Sequence, residues 1–418
     1  MLRRLTLLLF VLSAVVAVVP ASAQDAQAGP VVVADVRGPL DQRALDFLVD
    51  AVLTDDAQLV VLKIDNPGIA SGDPAELFAA IQETDNQVVA WVGPDGAVAY
   101  GGAGQLLGTV AVAGAAPGAR IGHMSPTVAG QKLSNLAGED VWELRDTEIV
   151  IRDESTSELV DVVQPPIGQF IAALDGMAIT TNFRESVLET AEELTLEDGS
   201  TVISSSVEVR FLKPTLLTRF LRLGTRPDAA FFFLLAGLAV GAFEFYAAGG
   251  GIAAAMAALS LFLAGYGFAT LPMNWLAVVA AVLGVGFYTW DFQRHELGIR
   301  SIVGTVLMLW GGIAFVGGSP QIGTSVWSVL LTVVGITLFY LFAMTTIVRS
   351  RFGTPTIGRE HLVGAIGVAE SALTPDGVVT IEGAKWRARS HRAAGIDRGA
   401  AIEVLAVEGI TLQVAPPE

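Results

Sequence analysis

The chain has 418 residues, of which 52% are apolar and 16% are charged, and it contains no cysteine. Ordinary soluble domains carry about 25% charged residues, which argues against a single soluble globule. The missing cysteines exclude a disulfide framework, a thiolate nucleophile and cysteine-ligated zinc or iron–sulfur sites. Four separated histidines give little support for a metal site, and no cofactor is expected; they are His123, His295, His361 and His391.

The net charge of −17 is unevenly distributed along the chain. Residues 24–228 carry 31 acidic and 13 basic side chains, whereas residues 349–418 carry 8 of each sign. An acidic segment repels phosphate backbones, so nucleic acid is not an expected partner. The interval 229–348 holds only five charged side chains, and this predicts a membrane block.

Residues 1–23 follow the order of a secretory signal peptide. Two arginines precede an apolar run from Leu5 to Val19, and Ala21-Ser22-Ala23 supplies the small residues of a cleavage site. The alternative is an uncleaved anchor, for which this run is short of the roughly 20 residues that a span needs. Segment 24–228 is therefore predicted to be exported.

Five apolar stretches in the membrane block approach the length of a bilayer span: 229–247, 252–270, 272–290, 302–318 and 326–348. Five spans would leave Arg294, Arg300 and the arginines after the last span on the cytoplasmic side, in agreement with the positive-inside rule. Three arginines before the first span would lie outside and weaken this agreement: Arg219, Arg222 and Arg226. We therefore predict a multi-pass plasma-membrane protein with a cytoplasmic C-terminus, whereas four spans would put that end outside. Glu244 lies inside a span, where a charge is costly, and both a structural and a functional role stay open.

Predicted strands and helices alternate from residue 30 to about residue 178. The strands are 31–36, 59–64, 87–92 and 109–113, and the helices are 42–53 and 73–83, with Asp73 as a candidate N-cap. This order is typical of an α/β domain with a mostly parallel sheet. Sites in such sheets gather at the carboxyl ends of the strands, which here means the loops 65–72 and 93–104.

The tail after Gly353 changes to short alternating strands separated by turn residues. The predicted strands are 362–368, 377–382, 385–390, 401–407 and 410–414. Five strands of this length fit a small all-β barrel of the OB type. Its usual ligand is nucleic acid, but the tail is neutral, and we expect Trp386 to belong to the barrel core.

Motifs in all three parts of the chain point to one family. They include Leu62-Lys63-Ile64-Asp65-Asn66-Pro67-Gly68, Leu271-Pro272-Met273-Asn274-Trp275 and Leu373-Thr374-Pro375-Asp376-Gly377. The chain resembles the NfeD family in its long form, with a ClpP-class, crotonase-like serine protease domain. The resemblance implies that this α/β domain covers 24–228, that a polytopic helical block covers 229–348, and that an OB-fold domain covers 349–418. It also implies a stomatin-like (SPFH) membrane protein as partner, and self-association into a homo-oligomer.

Departures from the family pattern determine which activity to expect. Family proteases use a Ser–Lys pair, and Gly101 stands where the serine belongs. In the turn that lends a backbone donor to the oxyanion, Gly68 is followed by Ile69 in place of a second glycine. Lys132 begins a stretch that resembles the one carrying the family lysine. It is either a relic of that lysine or an ordinary surface residue. Because glycine has no side chain to attack a carbonyl, we predict a degenerate, protease-like scaffold.

Two further functions stay open on the sequence alone. An active membrane serine protease with a displaced nucleophile would need Ser71 or Ser125 within hydrogen-bond reach of Lys132, about 2.6 to 3.2 Å. Both hydroxyls are also typical of turns. A transporter or channel component would depend on Glu244 alone.

Overall fold

The computed structural model describes residues 29–417 except 56, 133, 138–141, 181–184, 196–200, 206, 248–250, 295–297, 318–320, 347–358 and 392–394. The chain divides into two compact units, the first ending at Phe342 and the second beginning at Ala343. The first unit contains an α/β domain and a helical membrane block, and the second contains a β-barrel. The predicted signal peptide, 1–23, lies outside the described residues.

Six parallel strands form the central sheet of the α/β domain, in the order β13-β1-β2-β3-β5-β8. Along β1, Val31 and Val33 join one buried cluster, and Ala34 and Val36 join the other. Burial on both faces explains why these strands are near-continuous apolar runs. The strands are β1 (Val31–Arg37), β2 (Leu59–Asp65), β3 (Gln87–Val92), β5 (Val112–Ala115), β8 (Val162–Val163) and β13 (Val209–Leu212).

A second, three-stranded sheet packs beside the first and carries the candidate site at its edge. It consists of β4 (Val98–Tyr100), β6 (Arg120–Gly122) and β7 (Glu148–Val150), with β4 and β6 parallel. Two small hairpins complete the strands, β9 (Ala178–Thr180) with β10 (Glu185–Val187) and β11 (Ala191–Thr195) with β12 (Thr201–Ser205). The helices of this domain are α1 (Gln42–Val52), α2 (Ala75–Glu83), α3 (Gly101–Gln105), α4 (Ile167–Ala173) and α5 (Leu216–Leu221).

Two predicted boundaries in this domain shift for local reasons. Helix α2 begins at Ala75 rather than Asp73, because the Asp73 carboxylate accepts the N–H of Ala75 and so stands before the first turn. The strand expected from Thr109 begins at Val112, because a 3₁₀ turn runs through Gly108 and the Thr109 N–H bonds back to the Leu106 carbonyl.

Five apolar helices form the membrane block: α6 (Pro227–Ala247), α7 (Ile252–Thr270), α8 (Trp275–Gln293), α9 (Ile299–Ile313) and α10 (Val326–Leu338). Helix α10 continues as a π-helical turn to Met344. Counted with this turn, α10 is long and apolar enough to cross a membrane, as are α6, α7 and α8. Helix α9 has 15 residues, or roughly 22 Å at 1.5 Å per residue, and so ends earlier than the predicted stretch 302–318. The chain leaves the helix there because residues 315–317 bond to the α7–α8 connection.

Helices α8 and α9 pack closely over their whole length. A Cβ at Gly284 would lie 2.7 Å from the Gly304 carbonyl, and one at Gly311 would lie 2.7 Å from the Ala277 carbonyl. Glycine at these positions lets the two backbones approach. At one end of the pair, the buried Asp291 carboxylate accepts bonds from Ser301 and Arg300.

The second unit is a closed barrel with strand order β14-β15-β16-β18-β17. Trp386 packs against its core, as predicted. The first strand is shorter than predicted, because a 3₁₀ turn occupies Arg359–Leu362. The strands are β14 (Ile366–Ala369), β15 (Asp376–Ile381), β16 (Ala384–Ser390), β17 (Ala401–Glu408) and β18 (Thr411–Ala415). The predicted order of α/β domain, helical membrane block and all-β barrel is therefore confirmed.

Candidate functional site

A small cavity lies where three neighbouring strands end. Strand β2 is followed by Pro67, Gly68 and Ile69, β4 by Gly101, and β6 by His123, and all five residues line the cavity. The remaining lining residues are Pro126, Ala129 and Ile322. The cavity volume is about 10 Å³, close to the smallest space that holds one water molecule. The structure thus brings together Gly68, Ile69 and Gly101, which the sequence placed in the degenerate site.

Three backbone donors around this cavity are engaged within the chain. The Gly68 N–H donates to the side-chain oxygen of Asn66 at 2.6 Å. The Gly101 N–H donates to the His123 carbonyl and the Gly102 N–H to the Thr127 carbonyl, each at 3.0 Å. An oxyanion site needs N–H groups that point at the position where negative charge develops. These three N–H groups instead hold the loops around the cavity together.

Gly101 has a backbone conformation and surroundings that favour glycine. Its φ is +55°, in the left-handed region where a Cβ is costly. A Cβ at this position would lie 3.3 Å from the Pro126 carbonyl oxygen and 3.5 Å from the Gly68 Cα. The space beside the next residue is filled as well, since a Cβ at Gly102 would lie 2.5 Å from the Ile69 side chain.

Lys132 and the two candidate serines belong to the alternative that the sequence left open, a protease with a displaced nucleophile. Lys132 is exposed and is not among the residues that line the cavity. The Ser125 hydroxyl donates to the Ser134 carbonyl and accepts the Ser134 N–H, both at 3.3 Å. Within the described part of the chain, no serine hydroxyl hydrogen-bonds to Lys132. The arrangement that a displaced nucleophile would require is therefore absent from these residues.

Gln105, which the sequence reasoning missed, holds the loop that carries Lys132. Its buried amide nitrogen donates to the Met124 and Ser134 carbonyls. Its oxygen accepts the Thr127 hydroxyl at 3.1 Å and the Leu136 N–H at 3.0 Å. A buried glutamine that satisfies four partners has a structural role. Its position four residues after Gly101, in an otherwise apolar helix, was the available signal.

His123 carries the one ionisable side chain among the lining residues. Its ring contacts Tyr100 edge-on, with ring centroids 5.5 Å apart. The Tyr100 hydroxyl donates to Glu148 at 2.7 Å, and burial together with that carboxylate raises the pKa of Tyr100 to about 12. The sequence reasoning treated His123 only as one of four scattered histidines. The stretch 116–123, which ends at His123 and resembles a family motif, was the available signal.

The membrane block contacts the α/β domain around this cavity. Ile322, from the segment between α9 and α10, lines the cavity itself. The Tyr266 hydroxyl of α7 donates to the Asp41 carboxylate, whose other oxygen accepts the Ala44 N–H at the start of α1. Arg222 is partly buried and interacts electrostatically with Asp41 and Asp35; burial lowers the pKa of its guanidinium, and the two carboxylates partly offset this.

Glu244 has a local partner at the end of α6. Its carboxylate accepts the Gly251 N–H at 2.9 Å, so it closes the connection between α6 and α7. This contact favours the structural role over the transport role that the sequence left open.

The fold defines a polytopic membrane protein with an α/β domain and a small β-barrel. Residues 228–345 match the model of the NfeD integral membrane domain, and residues 359–416 match that of the NfeD-like C-terminal, partner-binding domain. The chain belongs to the NfeD family, as the sequence motifs predicted.

Several relatives are similar to parts or all of the chain. The membrane-bound protease PH1510 of Pyrococcus horikoshii is 24% identical over 424 residues, covering 92% of each chain. The structure of 1510-N, a membrane protease specific for a stomatin homolog from the same organism, is 19% identical, covers 46% of this chain and 96% of its own, and has a TM-score of 0.35. The C-terminal domain of the stomatin operon partner protein 1510-C is 32% identical, covers 15% of this chain and 97% of its own, and has a TM-score of 0.15.

Proposed function

We propose that the chain is a catalytically degenerate, serine-protease-like membrane scaffold that acts with a stomatin-type (SPFH) membrane protein. The observation that carries this proposal is the state of the cavity. Gly101 offers no nucleophile, and the N–H groups of Gly68, Gly101 and Gly102 all bond within the chain. Hydrolysis of a peptide by the family's chemistry needs both a nucleophile and oxyanion donors, so the missing nucleophile and the engagement of these three donors both argue against it.

The proposed partner has separate support. The C-terminal unit matches a domain described as partner-binding. The relative 1510-N is specific for a stomatin homolog, and PH1510 covers nearly the whole of this chain. In this proposal, the chain has kept the partner of such relatives and lost the cleavage, so that the barrel recruits an SPFH protein. Self-association into a homo-oligomer is part of the same proposal.

The proposed topology puts the α/β domain outside the cell and the barrel in the cytoplasm. This arrangement needs five crossings, including the short helix α9. Helix α9 and the residues just after it stay paired with α8 and its N-cap, from Asp291 and Ser301 at one end to Asn274 and Phe315 at the other. The paired stretch therefore covers about the same thickness as α8. Because the chain has no native cysteine, Leu53→Cys and Arg398→Cys can be labelled separately with an impermeant maleimide. Labelling of residue 53 alone in intact cells is expected.

The activity test uses the purified full chain with unstructured peptides, apolar peptides and an acyl-serine probe. We expect no turnover from the wild type, which has no nucleophile at Gly101, or from Gly101→Ser, since the N–H groups of residues 101 and 102 are bonded within the chain and are not free to bind an oxyanion. Turnover that survives Ser71→Ala and Ser125→Ala but is lost in Lys132→Ala would overturn the scaffold proposal.

The partner test is a pull-down from membranes with residues 349–418 present or deleted. We expect an SPFH protein to be captured by the full chain and lost on deletion. Lys132→Ala serves as a matched control that should leave capture unchanged. Equal capture with and without the barrel would contradict its assignment as the partner-binding part.

A further inference from the structure

The segment that runs from the last residues of β13 to the start of α6 has a charge opposite to that of its domain. Residues 211–226, which we call the cationic segment, contain four basic side chains and no acidic one, although residues 24–228 as a whole carry 31 acidic and 13 basic side chains. The four are Lys213, Arg219, Arg222 and Arg226. An isolated basic stretch in an acidic domain indicates attraction to an anionic surface.

The same segment exposes large apolar side chains beside its exposed cations. Leu216 is 79% exposed and Leu217 is 57% exposed, and both belong to α5. Arg219 and Arg226 are also exposed, whereas Leu221 is buried and Arg222 is partly buried. Apolar and cationic groups that point away from the domain together are typical of segments lying in a membrane interface.

Close backbone contacts fix the cationic segment at the end of a spanning helix. A Cβ at Gly224 would lie 2.5 Å from the Leu263 carbonyl, and a Cβ at Gly267 would lie 2.6 Å from the Gly224 carbonyl. Helix α7 ends at Thr270, so these contacts lie roughly 5 to 10 Å along the helix from its end at 1.5 Å per residue. Helix α6 begins directly after the segment, at Pro227. The cationic segment therefore lies at the boundary of the bilayer.

We propose that the cationic segment is an interfacial anchor that binds anionic phospholipid headgroups on the side of the membrane where the α/β domain lies. Leu216 and Leu217 would lie at the acyl boundary, and Arg219 and Arg226 would bind lipid phosphates. Charge complementarity and direct continuity with α6 favour lipid over a protein partner. The guanidinium group suits this role because its fork of donors matches a phosphate. The anchor would hold the α/β domain at the membrane, although the anionic lipid surface repels the acidic side chains of the rest of that domain.

The position of the segment can be tested with single cysteines in the full chain, which has no native cysteine. Leu217→Cys carries a fluorophore, and the chain is reconstituted into vesicles of phosphatidylcholine and phosphatidylglycerol that contain a lipid spin-labelled near the headgroup. Leu53→Cys is the control, because this exposed leucine follows the far end of α1, about 16 Å along the helix from Asp41. We expect quenching at residue 217 to exceed that at residue 53 by about twofold or more. Equal quenching would overturn the anchor and indicate a protein partner.

The headgroup preference can be tested with a charge variant and a matched control. Spin-labelled phosphatidylglycerol and phosphatidylcholine report which lipid associates with the full chain. We expect the double variant Arg219→Gln, Arg226→Gln to lose the preference for phosphatidylglycerol, while Arg152→Gln, at another exposed arginine of the domain, keeps it. Thermal unfolding confirms that both variants are folded. A preference that is unchanged in the double variant, or insensitive to salt in the wild type, would contradict the proposal.

Discussion

Ile322 of the membrane block packs against Gly68 of the α/β domain. Its Cδ1 lies 3.3 Å from the position that a Cβ at residue 68 would occupy. Ile322 is 2% exposed, so its side chain is part of a core shared by the two parts of the first unit. This side chain therefore occupies the space beside Gly68 and lines the candidate cavity.

Replacing Ile322 tests how much this contact stabilises the unit. Ile322→Ala should lower the free energy of unfolding by about 2 to 5 kcal/mol, the range for a buried isoleucine truncated to alanine. Ile302→Ala, at a residue of α9 that is 66% exposed, is the control and should change it little. Denaturant unfolding of the full chain in detergent measures both. Equal effects would show that Ile322 is not a packing residue.

A pair of glycine substitutions tests the backbone strain at the site. Gly101→Ala places a Cβ on a residue with a φ of +55° and should destabilise the chain by roughly 1 to 2 kcal/mol. Gly168→Ala is the control, because Gly168 lies in α4 with an ordinary φ and no atom within 4 Å of its added Cβ. That substitution should instead stabilise by about 0.5 to 1 kcal/mol. Two effects of the same sign would contradict the local conformation of Gly101.

The central strands and the barrel could be predicted because their signal is local. Strands β2 and β3 are apolar runs bounded by turn residues, and their observed bounds lie within one residue of the prediction. The shorter elements were not predicted. Helix α3 is built from Gly101-Gly102-Ala103-Gly104-Gln105, and its glycines disfavour a helix on propensity alone.

The candidate site could be predicted only in part. The family resemblance indicated Gly68, Ile69 and Gly101, and these residues do line one cavity. The contribution of Ile322 comes from a distant segment, and nothing in the local pattern around that residue indicates contact with Gly68. Likewise, the bond from the Gly68 N–H to Asn66 depends on a side-chain orientation, which a sequence pattern does not contain.

The bond between Asp41 and Tyr266 joins the α/β domain to α7 and can be measured with a double-mutant cycle. Asp41→Ser keeps a side-chain oxygen that can cap α1 but is too short to reach Tyr266, and Tyr266→Phe removes the hydroxyl. Asp41 is 3% exposed, so we expect a coupling energy of about 1.5 to 3 kcal/mol, typical of a hydrogen bond to a charged group. The free energies of unfolding of the four chains give this value. Additive effects would mean that the bond does not hold the two parts together.

The hydrogen bond from Tyr100 to Glu148 predicts a dependence of stability on alkaline pH. Burial and the neighbouring carboxylate raise the pKa of Tyr100 from its ordinary value of 10.0 to about 12, so the folded chain keeps the proton more tightly than the unfolded chain. The resulting stabilisation is fully present below pH 10 and is lost as the pH rises from 10 to about 12.

Tyr100→Phe isolates this effect, because the other tyrosines contribute equally to both chains and cancel in the difference. We expect the free energy of unfolding of the wild type minus that of Tyr100→Phe to fall across the interval from pH 10 to about 12. Glu148→Gln should make the fall smaller, since it removes the charge that opposes ionisation of Tyr100. Denaturant titrations at a series of pH values measure the difference. A difference that stays constant across the interval would show that Tyr100 ionises equally in the folded and unfolded chains.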